Sequence, residues 1–584
     1  MNIFSTIRTD ILSTIDKLAA NGSLPGGLPY AAITAEPPKE KSHGDISTNA
    51  AMALAKIAGK APKELAELIA AALRKRPYIS DVTIAGPGFI NIVLQASQWQ
   101  HLITDIIEHD VGYGNSEIGK GQKVNIEYVS VNPTGPMHIG HARCAVYGDA
   151  LSLLLLKCGY NVTKEYYIND AGSQIDTLAK SAYLRYRQAC SEAIELIPEG
   201  LYPGDYLIQT GEALFAHFGR KLLAMQEEEW LPIVRTFATD SMMVLIRDDL
   251  RAMGIEHDVF TSEKKLHEKK LIDEVVGKLT KSGLVYKGVL EPPKGKKPDD
   301  WEEREQTLFR STQFGDDCDR PLQKSDNSWT YFAADIAYAQ DKINRGFNSL
   351  VLVLGADHGG YRKRMEAAVS ALSGNGVDID IILCQLVHFV ENGQPLKMSK
   401  RAGNYITVRD VLDMVGKDIL RFIMLTRKND MVMEFDMEKV REQSKDNPVF
   451  YVQYAHARAR SVLRNATAEM PQAAKLLQEL SPALLEKLNR PEELALIRLL
   501  ASWPRIVETA ALHHEPHRIA FYLQDVASEF HGLWNKGNED KSLRFIITGD
   551  DELTAARLAL VKSVAIIVAS GLFIFNVVPV EEMK

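Results

Sequence analysis

The chain has 584 residues, 46% hydrophobic and 25% charged, with a formal net charge of −8 at pH 7. That length is too great for one core and implies three or four domains of ordinary soluble composition. The acidic balance excludes a coat for nucleic acid but not a local basic path, and five scattered cysteines (Cys144, Cys158, Cys190, Cys318, Cys384) without a C-x-x-C pair exclude a disulfide frame or zinc ribbon and suit a reducing compartment.

At the start, Phe4, Ile7, Ile11, Ile15 and Leu18 share one helical face and Asp10 and Asp16 the other, the pattern of an amphipathic helix rather than a leader. Residues 1–115 read as a separate α+β module. It holds HGDISTN (His43 to Asn49), an Ala-rich helical run from Ala50 to Arg76, and strands over Val82–Ile84 and Phe89–Leu94 around a Gly-Pro-Gly turn. His43 and Asp45 read as a turn before a Ser/Thr-capped helix, with no catalytic role assigned.

Next, Lys123 to Val129 has the Val, Ile and Tyr content of a buried strand, and Ala142 to Cys158 an apolar helical pattern ending at Gly159. Asn132, Pro133, Gly135 and Pro136 force a turn between them. His138 and His141 are thereby expected at the first turn of a helix that follows a parallel strand, where free backbone N–H groups and the helix dipole favour a phosphate. Gly140 leaves room for a flat base against the backbone. Taken alone, H-x-G-H has blander readings: two histidines three apart also cap, pack or face water. No carboxylate or cysteine companion has zinc-like spacing. A second strand, Val162–Ile168, runs into Asn169 and Asp170, so Asn132 and Asp170 both fall at strand ends where α/β sheets bind ligands. Asp170 also reads as the N-cap of the helix that follows.

Residues 177–327 do not continue the alternation clearly and read as an insertion between two halves of the sheet, with a solvated charge run over Glu291–Glu305. Alternation resumes with a helix over Tyr331–Asp341, placing Tyr331 and Asp335 on one face. Strands follow over Leu350–Leu354 and Ile381–Val390. Asn392-Gly393 then makes a hairpin turn. The next loop carries Lys397, Met398, Lys400 and Arg401 between Pro395 and Gly403. Such a basic loop is commonly just solvated, but lysines there also suit the closing of a loop on phosphates. From about residue 445 the pattern is helical throughout: Ile519, Tyr522, Leu523, Val526, Phe530, Leu533 and Trp534 recur at spacings of three and four, as in a helix bundle. Val564–Phe575 is almost wholly apolar, short for a membrane span, and reads as a buried bundle helix.

H-I-G-H after the first strand with K-M-S-K after a late strand is a specific pair. On these motifs the sequence resembles the class I aminoacyl-tRNA synthetases. Within them it is similar to the arginyl-tRNA synthetases over essentially the whole chain, on HGDISTN, AGPGFINI, EYVSVNPTGPMHIGHAR, EYYINDAGSQI, TYFAADIAY, GADHGGY, LKMSKRAGN and NPVFYVQYAHARAR. Arg401 stands where the family's loop usually ends in serine.

The resemblance implies a multidomain α/β + α chain. Residues 1–115 would be a tRNA-contacting module on the elbow side. Residues 116–395 would be a Rossmann-like parallel-sheet catalytic domain with its insertion, 396–444 the loop and a connecting stem, and 445–584 a helical anticodon-binding domain. It implies ATP as Mg-ATP, L-arginine and tRNA(Arg) as substrates, and no tightly bound metal. His138, Gly140, His141, Lys397, Met398 and Lys400 would hold ATP, with the histidines and lysines catalytic. Glu127, Ser130, Asn132, Tyr331 and Asp335 would line the arginine pocket, Asp335 on the guanidinium and Asn132 near the α-amino end; Glu127 is open between contact and bracing. Tyr451, Gln453, Tyr454, His456, Arg458 and Arg460 would be tRNA candidates, some of them core, since one helix cannot expose all. The resemblance further implies activation that needs bound tRNA, no editing, and a cytoplasmic monomer. A small-molecule nucleotidylyltransferase and a catalytically silent RNA-binding relative are the rival readings.

Overall fold

The computed structural model describes residues 2–290, 304–391, 394–395 and 406–583. Its centre is a sheet of five strands, all parallel: β1 (Lys123–Tyr128), β2 (Asn161–Ile168), β3 (Val259–Ser262), β4 (Ser349–Gly355) and β5 (Asp378–Cys384). Their spatial order is 3-2-1-4-5. The order reverses between β1 and β4, the point where a doubly wound sheet opens a crevice at its carboxyl edge. β4 is almost wholly apolar, and β1 is buried from Val124 to Tyr128 although it carries Asn125 and Glu127, because both faces of the sheet are covered, the usual state of a parallel sheet.

Helix α1 (Ala142–Lys157) crosses from β1 to β2. It lies close on the sheet because residue 148 is glycine: a Cβ there would stand 2.3 Å from the Tyr128 ring. The helix stops at Cys158, and Gly159 follows at φ +78°, the left-handed position that favours glycine. After β2 come α2 (Ser173–Ala189) and α3 (Glu227–Ala252), then α4 (Glu263–Glu268).

Two expectations about the sheet need correction. β3 falls inside residues 177–327, so that stretch is not wholly an insertion; its helices leave the sheet and the chain returns as an edge strand. The run Ile381–Val390 is two strands, not one. β5 ends at Cys384, and Val387–Glu391 joins a separate three-stranded sheet with Gln394–Pro395 and Met433–Asp436. The antiparallel pairing of Glu391 with Gln394 fits the expected hairpin, whose turn residues 392–393 lie outside the described residues, as does most of the charge run at 291–303.

Helices α5 (Tyr331–Asn344) and α6 (Arg362–Ser373) flank β4. In the first module the helix Ile3–Ala20 buries the five apolar residues of its stripe. The Ala-rich run is two helices, Ala50–Ala58 and Pro62–Leu73, and a four-stranded antiparallel sheet completes the module. The helix starting at Ala50 has Asn49 as its cap residue with no side-chain cap bond, so the expected Ser/Thr cap is absent apart from Thr48 Oγ1, which accepts Ala50 N–H at 3.2 Å.

Residues beyond 445 form the helical bundle, including α7 (Pro448–Glu469), α8 (His517–Glu539) and α9 (Asp551–Ile574). Among the described residues α9 is the one helix long and apolar enough to cross a membrane, yet 89% of its apolar window is buried inside the protein. It is the bundle's central helix.

Candidate active site

The carboxyl edge of β1 and β4 opens into a cleft of about 1340 Å³. It brings together Glu127, Ser130, Asn132, His138, Gly140, His141, Tyr331 and Asp335, residues spread over more than two hundred positions of chain. Lys397, Met398, Lys400 and Arg401 lie outside the described residues.

β1 leaves the sheet through a strained corner. Val129 (φ +71°) and Ser130 (φ +42°) both occupy the left-handed region, which is costly for a β-branched residue and marks a functional turn. Tertiary bonds hold it there: Ser130 Oγ accepts Tyr167 N–H at 3.0 Å, and Asn169 Nδ2 donates to Ser130 O at 3.0 Å. The chain then returns to the edge of the sheet, where His138 and His141 stack with ring centroids 3.5 Å apart, His141 at the N-terminus of α1. Gly140 makes that stack possible, since a Cβ there would sit 2.9 Å from the His138 ring. Its omitted side chain thus leaves room first for an imidazole, where the sequence suggests room for a base.

The histidine segment is tied to the chain that leaves the lysine loop. His138 bridges Thr407, Ile139 N–H donates to Ile406 O at 3.1 Å, and Val408 N–H donates to Met137 O at 2.9 Å. Met137 N–H in turn donates to the buried Asp249 of α3 at 3.2 Å. The histidine segment is therefore anchored to residues 406–408, the first described residues after the lysine motif in sequence.

The other half of the cleft is acidic. Glu127 is buried with both oxygens engaged: Lys342 Nζ lies 2.6 Å from Oε2 and Ser130 Oγ donates to Oε1 at 3.2 Å. Asp335 faces the cleft one helical turn after Tyr331. Burial pushes its carboxyl up to about 7; the Tyr361 hydroxyl and Arg364 oppose the shift, while the charges of Glu127 and Glu263 add to it. Glu263, the buried first residue of α4, is also raised, by burial and then by Asp170. Tyr331 is 66% exposed at the mouth, and Asn132, exposed, donates to Gln174 Oε1 at 2.9 Å. Asp170 does not cap the helix that follows it. Its carboxylate accepts from Ser262 Oγ at 2.6 Å and Lys264 N at 2.8 Å, so it caps α4 instead.

The sequence reading missed Lys342, Glu263 and Asp249. No local pattern marks them, because each acts on a residue brought near only by the fold. Tyr361, the last residue of GADHGGY, and Arg364, in the first turn of α6, carry no sequence pattern that assigns them a role.

On α7 the tRNA candidates divide. Gln453 and His456 are buried and bond the backbone of Val578 and Val580, so both hold the C-terminal segment. Arg458 donates to His531 Nδ1 at 2.6 Å and to the Tyr454 hydroxyl at 2.7 Å. Burial and Arg458 hold His531 down at about 4, so it is a neutral acceptor. Arg460 pairs with Glu581. Tyr451 lines a second cavity, of about 580 Å³, with Arg427, Lys428, Lys445 and Phe521.

A doubly wound parallel sheet with a histidine pair at the switch point and a helical bundle behind it defines a class I aminoacyl-tRNA synthetase. Family models match along the chain: the arginyl tRNA synthetase N-terminal domain at residues 5–94, the class I (R) catalytic domain at 102–461 and the DALR anticodon binding domain at 452–583. The chain is 55% identical over 584 residues to an arginine–tRNA ligase of Cereibacter sphaeroides and 54% identical over 588 residues to one of Parvibaculum lavamentivorans, each pair covering 100% of both chains. An arginyl-tRNA synthetase structure from Campylobacter jejuni superposes with a TM-score of 0.71 at 30% identity, covering 84% of this chain and 100% of that one. The Thermus thermophilus structure, at 18% identity, shares the fold with a TM-score of 0.72, covering 99% of this chain and 100% of that one. The chain belongs to the arginyl-tRNA synthetase family.

Proposed function

We propose that the cleft activates L-arginine with Mg-ATP to arginyl-adenylate and pyrophosphate, then passes the arginyl group to the 3′-terminal ribose of tRNA(Arg). The observation that carries this reading is Asp335. It stands beside two buried acids, Glu127 and Glu263, and the nearest buried ammonium, Lys342, is already engaged by Glu127. A guanidinium supplies the charge that is lacking, with parallel donors matched to a carboxylate. Glu127, both oxygens spent, braces the pocket. Tyr331 covers the mouth, and Asn132 meets the α-amino end.

In the other half, His138 and His141 donate to phosphate oxygens as charge develops on the α-phosphorus, and the N-terminus of α1 adds its dipole. A carboxylate oxygen of arginine attacks that phosphorus and the bond to pyrophosphate breaks. Lys397 and Lys400 hold the departing phosphates, and Met398 lies along the nucleotide. Lys400 is seven positions from Thr407, which is bridged to His138, and a chain spans at most about 3.6 Å per residue, so about 25 Å bounds its distance from that anchor. In the second step a ribose hydroxyl attacks the adenylate carbonyl and AMP leaves. No protein nucleophile enters either step, so positioning and electrostatics supply the rate. Mg²⁺ arrives with the nucleotide as part of the substrate.

Editing is not expected, because an analogue without the guanidinium leaves the pocket's acids unpartnered. Tyr451 and Phe521 suit stacking on unpaired bases, with Arg427, Lys428 and Lys445 for phosphates. The module over 1–115, the stem over 396–444 and the bundle from 445 then embrace one tRNA, and the enzyme works as a cytoplasmic monomer. ATP–pyrophosphate exchange with arginine, run with and without tRNA(Arg), tests the reading. Exchange that needs both is expected. Exchange indifferent to arginine overturns it in favour of a small-molecule nucleotidylyltransferase.

A further inference from the structure

The wall of the cleft carries two thiols that the proposed reaction does not use. Cys144 stands in the first turn of α1, three positions after His141. Cys384 ends β5, paired in register with Gly355 at the end of β4. Both line the cleft, and each thiol is the other's strongest electrostatic neighbour. The chain around them is clamped. Arg143, 1% exposed, donates to Gln385 O at 2.9 Å, Met431 O at 2.6 Å and Lys428 O at 2.8 Å, so the residue before Cys144 is fastened to the residue after Cys384.

The pair is asymmetric. Cys144 is half-buried and reaches the cleft, whereas Cys384 is 3% exposed behind it. The neighbouring Cys384 thiol and the nearby Arg143 guanidinium outweigh burial and hold the Cys144 thiol below its ordinary value, while Cys144 and burial push Cys384 up. This is the arrangement of an attacking thiolate with a resolving thiol behind it.

We propose that Cys144 and Cys384 form an oxidation site in the cleft wall, where a hydroperoxide converts the dithiol to a disulfide and reversibly arrests amino-acid activation. The arrest rests on reading the cleft as the adenylation site; the oxidation does not. Cys144 thiolate attacks the peroxide, its O–O bond breaks, and Cys144 sulfenic acid forms with hydroxide leaving. Cys384 then attacks the Cys144 sulfur and releases a second hydroxide, which takes up the Cys384 proton as water. Two thiols and one hydrogen peroxide give one disulfide and two waters. The new bond, about 2.05 Å long, ties the turn that follows His141 to the end of β5 and draws in the wall beside the phosphate half.

The test treats the full-length protein with hydrogen peroxide, blocks free thiols with an alkylating agent, and reads peptides by mass spectrometry alongside arginine-dependent exchange. A linked Cys144–Cys384 peptide is expected, with at least a tenfold loss of exchange that dithiothreitol restores. Cys384→Ser keeps basal exchange before peroxide and stops at Cys144 sulfenic acid. Cys318→Ser, which removes the exposed thiol, behaves like the unaltered protein. Phenylarsine oxide, which bridges adjacent thiols, inhibits the unaltered protein but not Cys384→Ser. The proposal is overturned by the absence of both the linked peptide and the arsenical effect, or by linkage that leaves exchange unchanged. If the untreated protein shows no arginine-dependent exchange, the reading of the cleft fails, and the linked peptide still decides whether the oxidation site exists.

Discussion

Two acids a few turns from the same sheet are handled in opposite ways. Asp149, on α1, is closed: the fully buried Arg421 guanidinium lies 2.6 Å from Oδ2. Arg421 also donates to Met253 O at 3.0 Å and to Phe575 O, so one ion pair fastens α1 to the ends of α3 and α9. Asp335, on α5, is open. Its protein neighbours are the Tyr361 phenol and the Arg364 guanidinium, two further acids add to its charge environment, and its proton is held to about 7. The contrast separates charge used to build the molecule from charge kept for something that arrives.

Breaking the closed pair should have the largest effect. Removing one member of a buried ion pair costs about 3–5 kcal/mol, and the lower end applies here, because Asp149 loses its partner on Oδ2 but keeps Lys164 Nζ at 3.4 Å and the Tyr128 hydroxyl at 3.3 Å on Oδ1. Arg421→Met is expected to lose that much stability in urea titration, and Asp149→Leu/Arg421→Met to recover most of it. If the double variant is as unstable as the single, the charge is not what is lost.

Breaking the open site should cost no stability, and above pH 7 should add some, while impairing recognition. Asp335→Asn is expected to lower kcat/KM for arginine by about 10²–10³-fold, the usual loss when one partner of a buried charge pair is neutralised. The pH dependence sharpens the point. A carboxyl at about 7 in the free protein, against about 3.9 in the unfolded chain, keeps a proton between those values that the unfolded chain releases. Its contribution to stability is therefore present at low pH and lost as pH rises through 7. Arginine needs the ionised form, so its affinity should fall by up to about tenfold per unit below pH 7 and level off above 8. Calorimetry in buffers of different ionisation enthalpy should show a proton released on binding near pH 7. A flat profile in the unaltered protein would mean that Asp335 does not meet the guanidinium.

The same contrast explains what the sequence made legible. β1, α1, β2 and β4 are read from local pattern, because apolar runs and turn residues alone define them. So are His138 and His141, which a turn places at a helix start. β3 escaped because a four-residue strand after a long helical excursion has no period to detect. β5 merged with the next strand because nothing between Cys384 and Val387 has turn chemistry. Lys342 and Glu263 escaped because their meaning comes from Glu127 and Asp335, distant in sequence. Which of the α7 candidates are core was not legible for a related reason: Gln453 and His456 are polar, and only the packed C-terminal segment shows where their hydrogen bonds go.

The smallest effect is expected where the first module meets the bundle. Asp45, within HGDISTN, accepts Leu94 N–H at 2.9 Å and Trp99 Nε1–H at 3.3 Å, and Arg498 of the bundle lies 2.8 Å from its other oxygen. Asp45 is 7% exposed but Arg498 is 38% exposed, so solvent screens the pair. Arg498→Ala should cost no more than about 1 kcal/mol, because Asp45 keeps two donors and gains water. Asp45→Ala should cost more, about 1–3 kcal/mol, since it strands the Trp99 and Leu94 donors inside the module. Denaturation midpoints of the two variants decide between these roles. Equal losses would mean that the motif serves the junction with the bundle; the expected inequality means that it serves its own module first and the junction second.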